Sequence, residues 1–231
     1  MPLHILSAGA AQSVVEQTAP SFTSDTDCEV NATFGAVGAM KARVLAGEPV
    51  DMIILTAALI EDLVASGHVV SASRRDLGTV GTGVAVRAGT PPPDVSSERV
   101  LRDQLLAASV IVFPDPAIAT AGKVAMRALE ALGLVDVLRP RLRFLPNGYA
   151  AMNWLAQSHG HMELGITQTT EILANKGVTH AGPLPAALQM KTVYSAAVAT
   201  GARNPAAARQ FITGLTDPAA RPMLEAAGYE L

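Results

Sequence analysis

The sequence predicts an α/β fold of mainly parallel sheets with helices on both faces, and three observations predict it. Short β-branched apolar runs alternate along the chain with segments whose apolar residues recur at helical spacing. One run, Asp51 followed by MIIL, is continuously apolar beyond its aspartate, the pattern of a strand buried on both faces. Five strand-to-helix junctions, at residues 7–11, 35–39, 120–122, 147–148 and 167–170, carry small or hydroxyl residues and almost no charge. Ligands of such folds bind beyond the carboxyl ends of the strands, so uncharged junctions suit an anion held by main-chain N–H groups and dipoles.

Composition narrows the class. The 231 residues suffice for one α/β domain or two small ones. With 49% apolar and 16% charged residues the chain is globular. A formal charge of -3 without any basic run argues against nucleic acid as a partner. A single cysteine, Cys28, excludes an internal disulfide, and its neighbours Asp27 and Glu29 disfavour a thiolate. No stretch reaches the ~18 apolar residues of a membrane span, so direct membrane insertion is not expected. The start, MPLHIL, has no basic or long apolar leader. The expected location is cytoplasmic for the chain as it stands, and periplasmic if an export signal precedes it.

The elements follow in order. Residues 3–6 form a first strand, and Val14, Val15 and Ala19 continue as a helix that Pro20 ends. Residues 29–34 alternate as a second strand, followed by a helix through Met40, Val44 and Leu45 that Gly47 closes. After the third strand, Thr56 opens a helix with Leu59, Ile60, Leu63 and Val64, stopped by Gly67. Residues 78–87, GTVGTGVAVR, are expected as one long strand, and Ser96 or Ser97 caps the next helix. In SVIVFPDPAIATAGKVAMRALEALGL, a strand at 109–113 breaks at Pro114-Asp115-Pro116, and a helix with Val124, Met126, Leu129 and Leu132 follows Thr120-Ala121-Gly122. A helix start leaves about four N–H groups without partners and carries roughly half a positive charge, so this junction is one wall of an anion site; the alternative is that Thr120 only caps the helix. Further strands are expected at 142–145, 163–166, 178–184 and 193–199, with helices after Asn147-Gly148, after 167–170, at Asn204-Pro205 and at Pro222.

The order of these pieces resembles the substrate-binding proteins of bacterial molybdate and tungstate transporters. The segments that carry the resemblance are LSAGAAQSVVEQTAPSF, TFGAVGAMKARVLAGEPVDMIILTA, GTGVAVRAG, FPDPAIATAGKVAMRALEALGL, NGYAAMNWLAQ, ELGITQTTEIL, AAARQFITGL and AAGYEL, which span nearly the whole chain. The resemblance implies a two-lobed periplasmic-binding-protein-like fold (type II), each lobe a mainly parallel sheet with helices on both faces. It places lobe one at residues 1–80 plus 196–231, lobe two at 81–195, and hinge crossings near 81–84 and 191–194, with the ligand taken between lobes that close on it.

The resemblance also assigns ligand positions. In that family two serines, at the first two helix starts, and a tyrosine late in the chain give hydroxyls to the oxyanion; the matched positions here are Ala10, Ala36 and Gln168. Each missing hydroxyl removes about 0.5–1.5 kcal/mol, more when the acceptor is charged. The main-chain donors matched to Ala121 and Gly148 remain. The expected ligand is therefore a small anion with more bulk than a metal oxide, an organic carboxylate. Its expected contacts are Ser7, Gly9, Ala10, Gly35, Ala36, Thr56, Thr120, Ala121, Asn147, Gly148, Tyr149, Thr167 and Gln168, with Thr169 nearby; for the hydroxyl and amide side chains the alternative is a helix cap or solvated turn.

An aconitate isomerase is a relative within this fold family, so the alternative function is isomerisation of an unsaturated polycarboxylate by an allylic proton shift. That needs a base near the strand ends, and His4, Asp115 and Glu171 are the titratable candidates, each with a simpler reading as strand start, turn or helix first turn. No cofactor is expected. Gly122-Lys123 lacks the leading glycine and final hydroxyl residue of a phosphate-binding loop. His159 and His161 have no third metal ligand nearby, so no metal is expected either. Lys41 and Arg43 read as a solvated helix face, with a minor alternative of balancing ligand carboxylates, and Trp154 reads as core. The partners implied are the anion and, for an exported chain, a transporter's membrane component.

Overall fold

The computed structural model describes residues 1–231, which divide into two compact units: Met1–Val80 with Thr192–Leu231, and Gly81–Lys191. Each is a five-stranded mixed sheet with helices on both faces. No helix is long and apolar enough to cross a membrane.

In the first unit β1 (Leu3–Ala8) pairs in parallel with β2 (Val30–Gly35) and β3 (Met52–Thr56). β10 (Thr192–Val198) runs antiparallel to β3 and to β4 (Arg75–Val80), giving the order β2-β1-β3-β10-β4. Burial follows position in the sheet: β3, flanked on both sides, is buried at every residue, whereas β2, at an edge, is buried only at Gly35. Residues 192–195, expected in the second lobe, belong to the first unit because β10 hydrogen-bonds between two of its strands.

α1 (Gln12–Thr26) does not stop at Pro20 but runs through it. An interior proline costs about 3 kcal/mol in a helix, and the extension is held by tertiary packing that the local sequence does not display. Phe22, two residues beyond and buried, meets Phe211 of α9 (Pro205–Thr216) edge-on with ring centroids 5.0 Å apart. α2 (Val37–Leu45), α3 (Ala57–Ala65) and the short α10 (Arg221–Ala226) complete the unit.

The expected long strand at 78–87 is two strands in two sheets. β4 ends at Val80 and β5 (Thr82–Arg87) begins after Gly81, whose carbonyl already accepts the Thr169 N–H at 2.9 Å in register with the β5–β8 ladder. In the second unit β6 (Val110–Pro114), β7 (Leu142–Leu145) and β8 (Glu163–Gln168) are parallel, and β5 lies antiparallel between β8 and β9 (Val178–Pro183), in the order β7-β6-β8-β5-β9. α5 (Thr120–Ala131) and α4 (Glu98–Ala107) bury Val124, Ala125, Ala128, Leu129, Leu101 and Leu105 with Leu164 and Ile166 of β8. α7 (Gly148–Gln157) and α8 (Thr169–Leu173) bury Ala151, Met152, Leu155 and Ile172 against Ala85 and Val112. A short α6 (Val135–Leu138), not expected from the sequence, follows α5.

Thr167 and Gln168, expected in the loop after a strand at 163–166, are instead its last two residues. They pair with Gly83 and Thr82 of β5, whose ladder extends the strand.

Candidate functional site

In each unit the parallel strands deliver their junctions to one edge of the sheet, because strands of the same sense end on the same side. In the first unit Ser7 and Ala8 of β1 are level with Phe34 and Gly35 of β2, and Ser7 is level with Ile54 of β3. That edge gathers Gly9 and Ala10 in a tight turn, Gly35 with Ala36 before α2, and Thr56 before α3, all of them buried. Thr56 caps α3 by accepting the Leu59 N–H at 3.4 Å, and the Ser7 hydroxyl donates to the Ala8 carbonyl at 3.0 Å. Neither the turn at Gly9 nor α1 nor α2 has a side-chain cap, so those helix starts keep their main-chain donors.

Two contacts that sequence reasoning missed brace this unit, Tyr229 at the carboxyl-end edge and Asp51 at the opposite end of β3. The Tyr229 hydroxyl donates to the Ala10 carbonyl at 3.1 Å across 219 residues of chain. Asp51, 2% exposed, accepts the N–H groups of His4, Arg203 and Asn204 at 2.7–2.9 Å and ties α9 to the sheet. Its place at the head of an apolar strand was the only signal for it. His4 itself is exposed. Lys41 and Arg43, considered as ligand cations, are engaged by acidic neighbours, Lys41 with Asp62 at 2.7 Å and Arg43 with Glu48.

In the second unit the corresponding edge holds the α5 start, the α7 start and the end of β8. α5 begins at Thr120 after Ala119 with no side-chain cap, so Thr120 is not the cap considered for it. Gly122 is buried and must be glycine: a β-carbon there would lie 2.1 Å from the Pro114 carbonyl oxygen. That close approach seats the first turn of α5 on the β6 end. Asp115 holds the loop between them, its carboxylate accepting the Ala117 N–H at 2.8 Å, a turn role.

α7 starts differently. Asn147 caps it by accepting the Ala150 N–H at 2.8 Å, and the Gly148 N–H donates to the carboxylate of Glu171. Glu171 also accepts the Thr167 hydroxyl at 2.5 Å and the main-chain N–H of Gln168. Gln168 precedes the first turn of α8 and Glu171 is its third residue, so this last bond is one half of a capping box. The other half is missing, because Gln168 makes no side-chain cap. Burial outweighs these three donors and pushes the Glu171 carboxyl up to about 7. Glu171 is thus more than a first-turn acid: it fills the Gly148 corner with a carboxylate that titrates near neutrality.

The same end of β8 carries buried polar atoms without partners. Alternation along β8 puts Leu164, Ile166 and Gln168 on the α5 face, and Gly165 and Thr167 on the α7 face. The Gln168 side chain is 2% exposed, and both its Oε1 and its Nε2 are unpaired. Thr82, directly across on β5, has an unpaired, fully buried hydroxyl, as does Thr170 in α8. Folded proteins pair nearly all such groups, so this cluster is the strongest sign of a ligand in the unit. Of the remaining residues considered from sequence, Tyr149 is half-buried at the α7 start and Ala121 is buried at the α5 start. His159 and His161 are exposed, and no group of three His, Cys, Asp or Glu side chains is arranged to hold a metal. Trp154 is half-buried, with the Arg143 guanidinium 4.7 Å from its ring centroid.

The family model described as bacterial extracellular solute-binding protein matches residues 3–230. The chain belongs to that family. It is 28% identical over 240 residues to an aconitate isomerase of Pseudomonas sp, covering 99% of this chain and 87% of the relative. It is 23% identical over 229 residues to the molybdate-binding protein ModA of Escherichia coli (strain K12), covering 98% and 88%. Among solved structures, the periplasmic molybdate-binding protein of Azotobacter vinelandii superposes with a TM-score of 0.83 at 24% identity, covering 99% of both chains. The sulfate-binding protein SubI of Mycobacterium tuberculosis H37Rv gives 0.75 at 18%, covering 99% and 86%. These likenesses establish the fold and leave the ligand to the chemistry of the site.

Proposed function

We propose that this solute-binding protein takes a small organic anion that carries a hydrogen-bond donor as well as a carboxylate. The observation that supports this reading is the Gln168 carboxamide, buried with its donor and its acceptor both unpaired. A fully ionised oxyanion such as molybdate or sulfate only accepts, so it would meet Nε2–H and leave Oε1 short, at a cost of about 1–3 kcal/mol. A hydroxyl or protonated carboxyl on an organic acid meets both. Alanine at positions 10 and 36, where the molybdate-binding family carries serines, leaves more room and fewer donors at the first unit's edge, in keeping with a bulkier ligand. Delivery to a transporter's membrane component is the partner this reading implies.

The test is a thermal-shift series with molybdate, sulfate, citrate, cis-aconitate and trans-aconitate, with mass spectrometry of whatever co-purifies. Binding to the folded state raises Tm by mass action. A rise with organic anions is expected; a rise with molybdate or sulfate alone overturns the reading.

One observation favours a second reading, isomerisation of an unsaturated polycarboxylate. An allylic shift needs a group that removes a proton from the carbon next to the double bond and returns one to the far alkene carbon. Glu171, held at about 7 by burial, has the acidity for both steps. Incubation with cis-aconitate should then yield the trans isomer, and no conversion removes this reading while leaving binding intact.

A further inference from the structure

The Gly148 corner holds a group that competes with any ligand for the same donor. The Gly148 N–H at the α7 start, the Gln168 N–H and the Thr167 hydroxyl all point to the one carboxylate of Glu171. The fit is close: a β-carbon on Gly148 would lie 1.8 Å from Glu171 Oε2 and 2.3 Å from Thr167 Oγ1. Glu171 is 5% exposed, and Gln168, whose main-chain N–H bonds Glu171 and whose side chain turns to the other face of β8, keeps its unpaired amide 2% exposed.

Charged groups near Glu171 are few. The elements packed against α8 are α7, β5, β8 and β9. α7 contributes Tyr149 and β9 contributes His180, whose imidazole lies against Gly83 and whose burial lowers its own pKa. Arg87 of β5 and Glu163 of β8 sit at the opposite ends of their strands, where both bond to Ser158. The shift at Glu171 has burial and hydrogen bonds as its causes and no charged neighbour. Nothing cationic therefore holds Glu171 ionised, and nothing cationic offsets a second anion placed beside it.

We infer that anion binding in the second unit is coupled to uptake of one proton by Glu171: the neutral carboxyl admits the anion and the carboxylate repels it. The neutral form also changes from acceptor only to donor, its O–H turning to the ligand while its carbonyl oxygen keeps a main-chain N–H. That O–H is one more donor for the ligand in the second unit. The inference rests on the anion-binding reading above and adds the proton to it.

Isothermal titration calorimetry with citrate and with sulfate, each in two buffers of different ionisation enthalpy from pH 5.5 to 8.5, counts protons taken up on binding. For the natural chain the affinity is expected to be flat below about pH 6 and to fall by up to about tenfold per pH unit above about 7, the limit for one linked proton. Uptake should approach one proton there. Glu171→Gln, which carries no charge to titrate, should remove that uptake and leave only the probe's own ionisation. Should that variant not fold, Thr167→Val withdraws a donor from the carboxylate and should move the pH midpoint upward. Binding with the same proton count in the natural chain and in Glu171→Gln, or with an unmoved midpoint in Thr167→Val, overturns the coupling and leaves the anion reading standing. No binding of either probe at any pH overturns both.

Discussion

The carboxylate of Glu171 lies against Gly148 so closely that the glycine cannot carry a side chain. The contact joins the start of α7 to α8 and makes one helix's acid the anion at another helix's N-terminus. Gly148→Ala should cost about 1–3 kcal/mol through overpacking. Glu171→Ala should relieve part of that loss, so a double-mutant cycle by denaturant unfolding is expected to be non-additive. Additive losses would show that the contact is not what makes glycine necessary.

Glu171 makes stability depend on pH in a stated direction. Its folded value of about 7 is raised above the ordinary 4.5, so the folded state holds the proton more tightly than the unfolded chain. Its favourable contribution is complete below about 4.5 and is lost as pH rises to about 7, an effect on the order of 3 kcal/mol. Glu171→Gln should therefore gain in Tm relative to the natural chain between pH 5 and pH 8. A difference in Tm that stays constant over that range would contradict this.

Gln168 should trade stability for binding. Gln168→Met keeps the volume and removes two buried, unpaired polar atoms, so the ligand-free protein is expected to be more stable by about 1–2 kcal/mol. The same variant should bind the organic anion at least tenfold more weakly. Unchanged affinity in calorimetry would take Gln168 out of the site.

Asp51 should matter for the fold of the first unit. Asp51→Ala leaves three main-chain N–H groups, those of His4, Arg203 and Asn204, without their acceptor. The expected loss is about 2–4 kcal/mol, with amide exchange quickening first at the start of α9. An exchange pattern unchanged at Arg203 and Asn204 would contradict that assignment.

The sequence by itself determined the alternation of strands and helices, the small residues at the junctions, and the family, because apolar periodicity and glycine or proline punctuation are local properties of the chain. β3, buried at every residue, was legible as DMIIL, and the α7 cap as Asn147-Gly148. Tertiary structure decided what local pattern cannot carry. Pro20 ends a helix on propensity, yet Phe22 packing on Phe211 continues it to Thr26. Residues 78–87 read as one strand, yet their halves pair with partners far later in the chain, Thr79 with Val193 and Thr82 with Gln168, in two different sheets. Glu171 reads as an acid in a helix first turn, and only the approach of α7, 23 residues earlier in the chain, turns it into a buried, titrating carboxyl. Desolvation and hydrogen bonding depend on what is near in space, and a sequence states only what is near along the chain.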